Sequence, residues 1–378
     1  VNKPSKRGES LKIVCIIHSL CGGGAERVMA RLAARLSKRS HDVVLVTLDD
    51  GLHDRHELSA SVRKIALDVM VDRPSPLAKL PNLLRRLRAI RRAVCREHPD
   101  VVLSFCDRTN IDVLLAMIGS PIPVVISERS DPEHQQLGRF WEGVRRRVYP
   151  RSARVVALTS SIAETLSPLH RDRIEVIPSA VDPVASEYRS QREGNVILGV
   201  GRLEQEKGFD RLIDAFAIFA QQSGKRLPTP WTLRIVGEGS QRDSLQRLAN
   251  SLGVANSVEM PGWVRPIEPE YAKASLFVLP SHYEGFPSAL LEAMAAGLPC
   301  IGMRCQSGAV EIIKHESDGL LCDDNVNALC EAIKRLTDDP ERCAQLAAKA
   351  SEVSDRFGWE SMVTRYEAVL RECCVGAR

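Results

Sequence analysis

Ser281–Gly302 reads SHYEGFPSALLEAMAAGLPCIG, and its place between two short apolar runs decides the fold. Leu276–Pro280 in front of it is a compact apolar run that predicts a buried strand. Ser288–Ala296 consists of good helix formers and stops at Gly297. Cys300–Gly302 then opens a second apolar run. Strand, crossover helix and strand in that order define a parallel sheet. Glu284 and the amides of Gly285 and Phe286 fall where the first strand hands over to the helix, with Pro287 and Ser288 completing the turn. Such a place holds hydroxyls and anions. Glu292 follows on the helix.

The same alternation continues in both directions. Strands are predicted at Val196–Val200, Trp231–Val236, Ser257–Met260 and Gly319–Cys322, with a helix at Phe209–Ala220. In the first half, the strand Leu11–Ile17 leads through a glycine-rich turn into an amphipathic helix ending near Ser37. Apolar runs follow at Asp42–Leu48, Val101–Phe105, Pro123–Ser127, Arg154–Leu158 and Ile174–Ile177. The polar stretch between Asp182 and Asn195 reads as a linker. The expected fold class is α/β, two doubly wound Rossmann-like domains facing a cleft, residues 1–185 and 195–358. Ligands in such sheets collect at the strand carboxyl ends.

A chain of 378 residues has room for two such domains. Its eleven cysteines include no Cys-x-x-Cys pair and no His/Cys cluster at zinc spacing. They read as reduced thiols packed as small apolar groups. The opening residues VNKPSKRGES are polar, and no run of about 18 apolar residues follows. The expectation is a protein neither secreted through a leader nor membrane-spanning. The net charge of +4 hides an asymmetry. Residues 1–190 hold 31 Lys/Arg against 22 Asp/Glu, and the remainder 21 against 26. The first half is built to meet something anionic.

VGRLEQEKGFDRLIDAF places Arg202 and Lys207 at the mouth of a predicted strand, just before a helix. A planar guanidinium and a mobile ammonium divide well the stabilisation of an anionic leaving group; taken alone, the two are equally solvated surface. IVGEGS puts Gly237 and Gly239 in a turn after a strand, where backbone can approach a ligand closely. Gly22–Gly24, followed by Ala25, Glu26 and Arg27, is neither a Gly-x-Gly-x-x-Gly fingerprint nor a P-loop. An NAD reading therefore loses its chief support. Gly23 and Gly24 are candidates for close approach at the cleft, with a plain strand-to-helix turn as the alternative. The two glutamates also admit a glycosidase reading, which needs carboxyls about 5 Å apart or under about 10 Å. Eight residues of helix rise about 12 Å, which disfavours it.

Glu284 and Glu292 with the Gly-x-Pro turn at Gly297–Pro299 resemble the signature of family-4 retaining glycosyltransferases, which use a nucleotide-sugar donor. Arg202 and Lys207 stand in register with the same pair in that family. MPGWV, with Trp263 and Val264, is similar to its base-reading segment, and IPSAVD to its Pro-Asn-Gly turn, with Ser179 and Ala180 substituted. Gly-Gly-Ala-Glu matches its N-terminal loop. The resemblance implies a GT-B architecture, with the last helix, residues 359–378, crossing back to the first domain. It implies that Glu284 grips the donor sugar with Gly285–Pro287 and that Glu292 binds the ribose. Arg202 and Lys207 would hold the diphosphate, without a metal or other cofactor, since no Asp-x-Asp motif is present. Many members carry a His at the end of an N-domain strand; here VISERSDP offers Glu128 and Arg129, which are expected to face the acceptor. Such Glu-Arg-x-Asp-Pro segments resemble those of enzymes that extend lipid-linked sugar chains for bacterial surface polysaccharides.

The implied activity is transfer of a hexose or N-acetylhexosamine from a nucleotide-sugar, a UDP-sugar favoured, to a lipid-linked or saccharide acceptor. A sugar-nucleotide epimerase or hydrolase, or a non-catalytic nucleotide-sugar-binding subunit on the same scaffold, is the alternative. Leu77–Glu97 carries seven Lys/Arg and one acid, and its Leu83, Leu84, Leu87, Ile90 and Val94 recur at helical spacing. Leu137–Arg154 brings Phe140, Trp141 and Tyr149 among Arg139, Arg145, Arg146, Arg147 and Arg151. Basic amphipathic helices suit an anionic membrane surface, so the expected location is the inner face of the cytoplasmic membrane; an ordinary helix with a core-facing stripe is the alternative. No nucleic-acid reader motif accompanies the charge.

Overall fold

The computed structural model describes residues 10–70, 79–135, 137–170, 173–184, 194–223, 230–305 and 308–375. The chain divides into two compact units. One comprises Val1–Pro178 and Glu360–Arg378, the other Ser179–Trp359. The division falls ahead of the polar stretch read as linker because Val181 already belongs to the second unit. Its N–H donates to Phe357 O at 2.9 Å, and it bridges Gly358. Most of the expected linker, residues 185–193, lies outside the described residues.

The first unit holds a seven-stranded parallel sheet. Its strands are β1 (Lys12–Ile17), β2 (Asp42–Thr47), β3 (Arg63–Ala66), β4 (Val101–Phe105), β5 (Val124–Ser127), β6 (Arg154–Ala157) and β7 (Ile174–Val176), in the order 3-2-1-4-5-6-7. The central strands are buried on both faces, and for that reason read as continuous apolar runs. β3 carries the sequence RKIA at the sheet edge with its ends exposed, so it has no apolar run to betray it. The helix Gly24–Lys38 buries Val28, Met29, Leu32, Ala33 and Leu36 against β1 and β2, the i, i+3, i+4 pattern of a one-faced helix. The C-terminal helix Trp359–Val375 belongs to this unit from Glu360 onward. Tyr366 Oη lies 3.1 Å from Ser127 Oγ, and Arg39 reaches Glu367 at 2.8 Å.

The second unit holds six parallel strands: β8 (Val196–Val200), β9 (Thr232–Val236), β10 (Val258–Gly262), β11 (Leu276–Leu279), β12 (Cys300–Met303) and β13 (Leu320–Cys322), in the order 10-9-8-11-12-13. Its core joins Leu212, Phe216 and Phe219 of the helix Phe209–Ser223 to Leu233, Ile235, Leu329 and Ile333. Each fully buried side chain of this size contributes roughly 1.5–3 kcal/mol. The helix Ser288–Ala295 ends because Gly297 adopts φ +73. There the N–H groups of Gly297 and Leu298 turn back onto Met294 O and Ala293 O, at 2.8 and 3.0 Å.

Strand order reverses between β1 and β4 in the first sheet and between β8 and β11 in the second. The carboxyl ends at those two places are where such sheets bind ligands. Among the described residues no helix is long and apolar enough to cross a membrane.

Candidate active site

At the second sheet's reversal, the chain leaving β8 runs along the end of β11. Gly208, at φ +62, passes so close that a Cβ there would lie 2.2 Å from Pro280 O. Arg211 donates to the same carbonyl at 2.5 Å, and His282 N–H to Glu206 O at 2.9 Å. These bonds bring the short turn Gln205–Lys207 over the strand end. Lys207 Nζ thereby donates to both carboxylate oxygens of Glu284, at 2.7 and 2.8 Å, and Ser281 Oγ donates to Oε1 at 2.7 Å. The strand thus ends in a buried carboxylate held by one ammonium and one hydroxyl. Gly308, at φ +91, packs on its back: a Cβ there would stand 2.7 Å from Glu284 Cβ and 3.0 Å from Pro287 Cδ.

Arg202 stands apart from that pair. Its side chain is 70% exposed and donates to Glu206 at 2.8 Å. An exposed ion pair of this kind is worth under about 1 kcal/mol, so the guanidinium is easily redirected. Glu292 is half-buried on the helix and accepts from Tyr271 Oη at 3.1 Å. That helix begins at Ser288, with Pro287 ahead of its first turn, so Gly285 and Phe286 precede the helix. Phe286 is buried against the ring of Phe357, 5.7 Å between centroids.

Gly237 and Gly239 have a packing reason for being glycine. A Cβ on Gly237 would lie 1.8 Å from Gly201 O, and one on Gly239 2.4 Å from Leu203 O. Gly237 N–H donates to Gly262 O at 2.9 Å. The two glycines let the turns after β8 and β9 touch, which fixes the approach to Arg202. Trp263 follows β10 with its indole 43% exposed, and Val264 is half-buried beside it.

At the first sheet's reversal the structure assembles a buried polar cluster. Gly23 precedes the helix Gly24–Lys38, and a Cβ on it would sit 2.0 Å from Glu26 Oε2. The Glu26 carboxylate is therefore folded over the helix start, the position where an anion binds best. His18 Nε2 lies 3.1 Å from Glu26 Oε1, and His56 Nε2 3.1 Å from Gly23 O. Burial would raise the Glu26 carboxyl, but the His18 contact and the backbone bond bring it below its ordinary value. Beyond β4, Cys106 takes φ +74 ahead of the helix Asp107–Ala116, a conformation that costs a non-glycine residue of order 1–3 kcal/mol.

Glu128, expected to face an acceptor, is instead fully buried. Tyr149 Oη donates to its Oε2 at 2.7 Å, and Oε1 has no hydrogen-bond partner among the described residues. Burial first, then the neighbouring Asp107 charge, push its carboxyl up to about 7. Burial likewise raises Asp107. Arg129 is half-buried, its guanidinium centre 4.9 Å from the Phe105 ring. The apolar stripe of the helix Lys79–Glu97 also turns inward: Ile90 and Val94 are buried, while Leu80 and Leu84 stay exposed. Trp141 lies beneath the Arg108 guanidinium at 3.1 Å, next to an exposed Phe140.

Ser281, Tyr271, Gly308, Tyr149 and Asp107 were not legible as site residues. Each is a common residue type, and all but Ser281, which lies three residues from Glu284, depend on a contact far along the chain.

These two sheets correspond to two known domain families. Residues 22–184 match the Glycosyltransferase Family 4 domain, and residues 184–353 the Glycosyl transferases group 1 domain. The chain belongs to the glycosyltransferases that combine these two domains in a GT-B fold. Over 345 residues it is 29% identical to a Campylobacter jejuni α-1,4-N-acetyl-D-galactosaminyltransferase that acts on a diNAcBac-PP-undecaprenol-linked glycan. That match covers 90% of this chain and 93% of the relative. Over 204 residues it is 40% identical to an exopolysaccharide phosphotransferase of Streptomyces coelicolor, covering 53% of this chain but only 21% of that protein. The Anabaena protein HepE, solved in complex with UDP-glucose, superposes with a TM-score of 0.77 at 21% identity, covering 96% of this chain and all of that one.

Proposed function

We propose that the protein transfers a hexose or N-acetylhexosamine from a UDP-sugar to a lipid-linked or saccharide acceptor, with retention of anomeric configuration, in bacterial surface polysaccharide synthesis. The observation that carries this reading is the Lys207–Glu284–Ser281 constellation at the β8/β11 reversal, with Arg202 exposed beside it. An ammonium has three protons. Two lie on Glu284, and a third remains for a diphosphate oxygen. Arg202 leaves Glu206 at little cost and adds a planar fork. As the bond from the sugar's C1 to phosphate oxygen breaks, these cations stabilise the growing charge. The acceptor oxygen bonds to C1 from the side the phosphate is leaving, and its proton passes to a phosphate oxygen. Glu284 orients the sugar hydroxyls, and Glu292, freed from Tyr271, accepts from the ribose. The diphosphate charge falls to these side chains and no metal is required. The HepE complex with UDP-glucose favours a UDP-sugar. The Campylobacter relative's N-acetylgalactosaminyl transfer favours an N-acetylhexosamine, and its undecaprenol-linked substrate favours a lipid-linked acceptor.

Exposed Leu80, Leu84 and Phe140 among Arg85, Arg88, Arg139 and Arg146 support peripheral binding to the anionic inner face of the cytoplasmic membrane. The direct test is incubation with UDP-, GDP- and ADP-sugars and undecaprenyl-diphosphate glycans, reading the product anomer by NMR. An α-linked product from an α-linked donor supports the assignment. Conversion of donor without acceptor would instead make the protein an epimerase or hydrolase.

A further inference from the structure

We propose that the first unit carries a second ligand site, at the amino ends of β5 and β6, for a phosphomonoester borne on an apolar body. A pocket of about 470 Å³ opens there, within the roughly 300–1,000 Å³ range of small-molecule sites. It lies wholly within this unit, at the opposite end of the sheet from His18, Cys106 and Glu128. Its apolar lining includes Leu114, Met117 and Ile122, and its charged lining Arg151, Arg154 and Arg173, against the single acid Glu372.

Arg151, Arg154 and Arg173 all line this one pocket. Burial pushes the Cys373 thiol at its wall up to about 11, and the charges of Arg154 and Arg173 pull it back. Arg154 lies 3.6 Å from Glu372, whose side chain is 63% exposed, a pairing too weak to compete with a dianion. Arg151 donates to Arg147 O at 2.9 Å, which leaves other protons of its fork for a ligand.

The wall is preformed. The helix Asp107–Ala116 points its carbonyl end toward this pocket, and bare carbonyls there would repel an anion. Arg91 prevents that by donating to Ala116 O and Ile118 O, each at 2.9 Å. The three pocket arginines are not needed for that task. A phosphate between them and a hydrocarbon body over Leu114, Met117 and Ile122 would use both halves of the lining.

The experiment titrates hexyl phosphate and inorganic phosphate into the full chain by calorimetry. Vesicle sedimentation accompanies it, with phosphatidylcholine alone and with added phosphatidic acid. Arg151→Gln with Arg173→Gln is the variant; both positions are exposed, where substitutions leave the fold intact. Saturable hexyl phosphate binding, tighter than that of inorganic phosphate and weakened about tenfold or more in the variant, is the expected result. The shift in thermal midpoint with UDP should be the same for both proteins. Capture on phosphatidic acid vesicles that the variant loses names a membrane lipid as the source. Loss of hexyl phosphate binding with unchanged vesicle capture names a soluble ester. The proposal falls if hexyl phosphate does not bind, if the variant binds it equally, or if inorganic phosphate binds as tightly.

Discussion

Lys207 and Glu284 lie 77 positions apart in the chain, yet the lysine's Nζ sits 2.7 and 2.8 Å from the two carboxylate oxygens of the glutamate. The pairing of β8 with β11 creates this contact, because each residue follows the carboxyl end of one of those strands. The pair is shielded, with side chains 19% and 9% exposed, so its charges act on a ligand through little intervening water.

Replacing Lys207 by Ala should lower kcat by about 10²–10³, the usual loss for a preorganised electrostatic group. It should also lower stability by about 1–3 kcal/mol, because Glu284 stays buried with one cation fewer. Arg202→Ala should cost comparable turnover with no change in thermal midpoint, since its side chain is 70% exposed. Single-turnover kinetics and urea melts on both variants separate the two effects. Full activity in either variant would remove the diphosphate role assigned to that residue.

Gly308 tests how tightly Glu284 is held. A Cβ there meets Glu284 Cβ at 2.7 Å and Pro287 Cδ at 3.0 Å, at φ +91. Gly253 supplies the control: its φ of +72 is equally left-handed, but a Cβ there meets nothing within 4 Å. Both alanine variants should lose about 1 kcal/mol or more to backbone strain. Only Gly308→Ala should also lower kcat, by displacing the carboxylate. Equal activity in the two would show that Glu284 tolerates displacement.

The fold was open to sequence reading wherever strands were buried on both faces. β4, β8 and β11 fall where their apolar runs placed them. β3 escaped because an edge strand of four residues with two charges has neither length nor alternation to mark it. Gly237 and Gly239 were legible as close-approach glycines, but what they approach is the backbone of Gly201 and Leu203. The identities of Arg202, Lys207, Glu284 and Glu292 were legible from local motifs. The partnership of Glu292 with Tyr271, 21 positions away, was not, and neither was that of Glu284 with Ser281, since a nearby serine hydroxyl does not reveal which way it points. The burial of Glu128 was not legible for a related reason. Position after a strand does not say whether a side chain points out or folds back onto a tyrosine brought in by the helical turn Tyr149–Arg151.

A diphosphate neutralised by side chains predicts indifference to chelation. Transfer measured in excess EDTA should match transfer in millimolar Mg²⁺, and the stabilisation by UDP should be unchanged. At a hundred times its Kd, UDP should add about 2.7 kcal/mol, a readily measured shift. Loss of turnover in EDTA, restored by Mg²⁺, would mean that Arg202 and Lys207 do not suffice.

Glu128 makes the stability of the protein depend on pH in an unusual direction. Its carboxyl is raised from an ordinary 4.5 to about 7, by burial and then by Asp107, with Tyr149 and Arg145 offsetting part of the rise. A raised acid binds its proton more tightly in the folded state. Stability from this group is therefore full below about pH 4.5 and is lost as pH rises toward 7, by about 3 kcal/mol in all. Glu128→Gln cannot ionise, and its side-chain carbonyl can still accept from Tyr149. Urea unfolding from pH 4.5 to 8 should show the wild type losing ground to Glu128→Gln across that window, with the variant the more stable protein at pH 8. Titrating groups that do not interact with Glu128, including His41 and His170, contribute equally to both proteins and cancel in the difference, while the response of the coupled Asp107 is part of the Glu128 effect. Parallel curves would mean that Glu128 is already ionised in the folded state at pH 5.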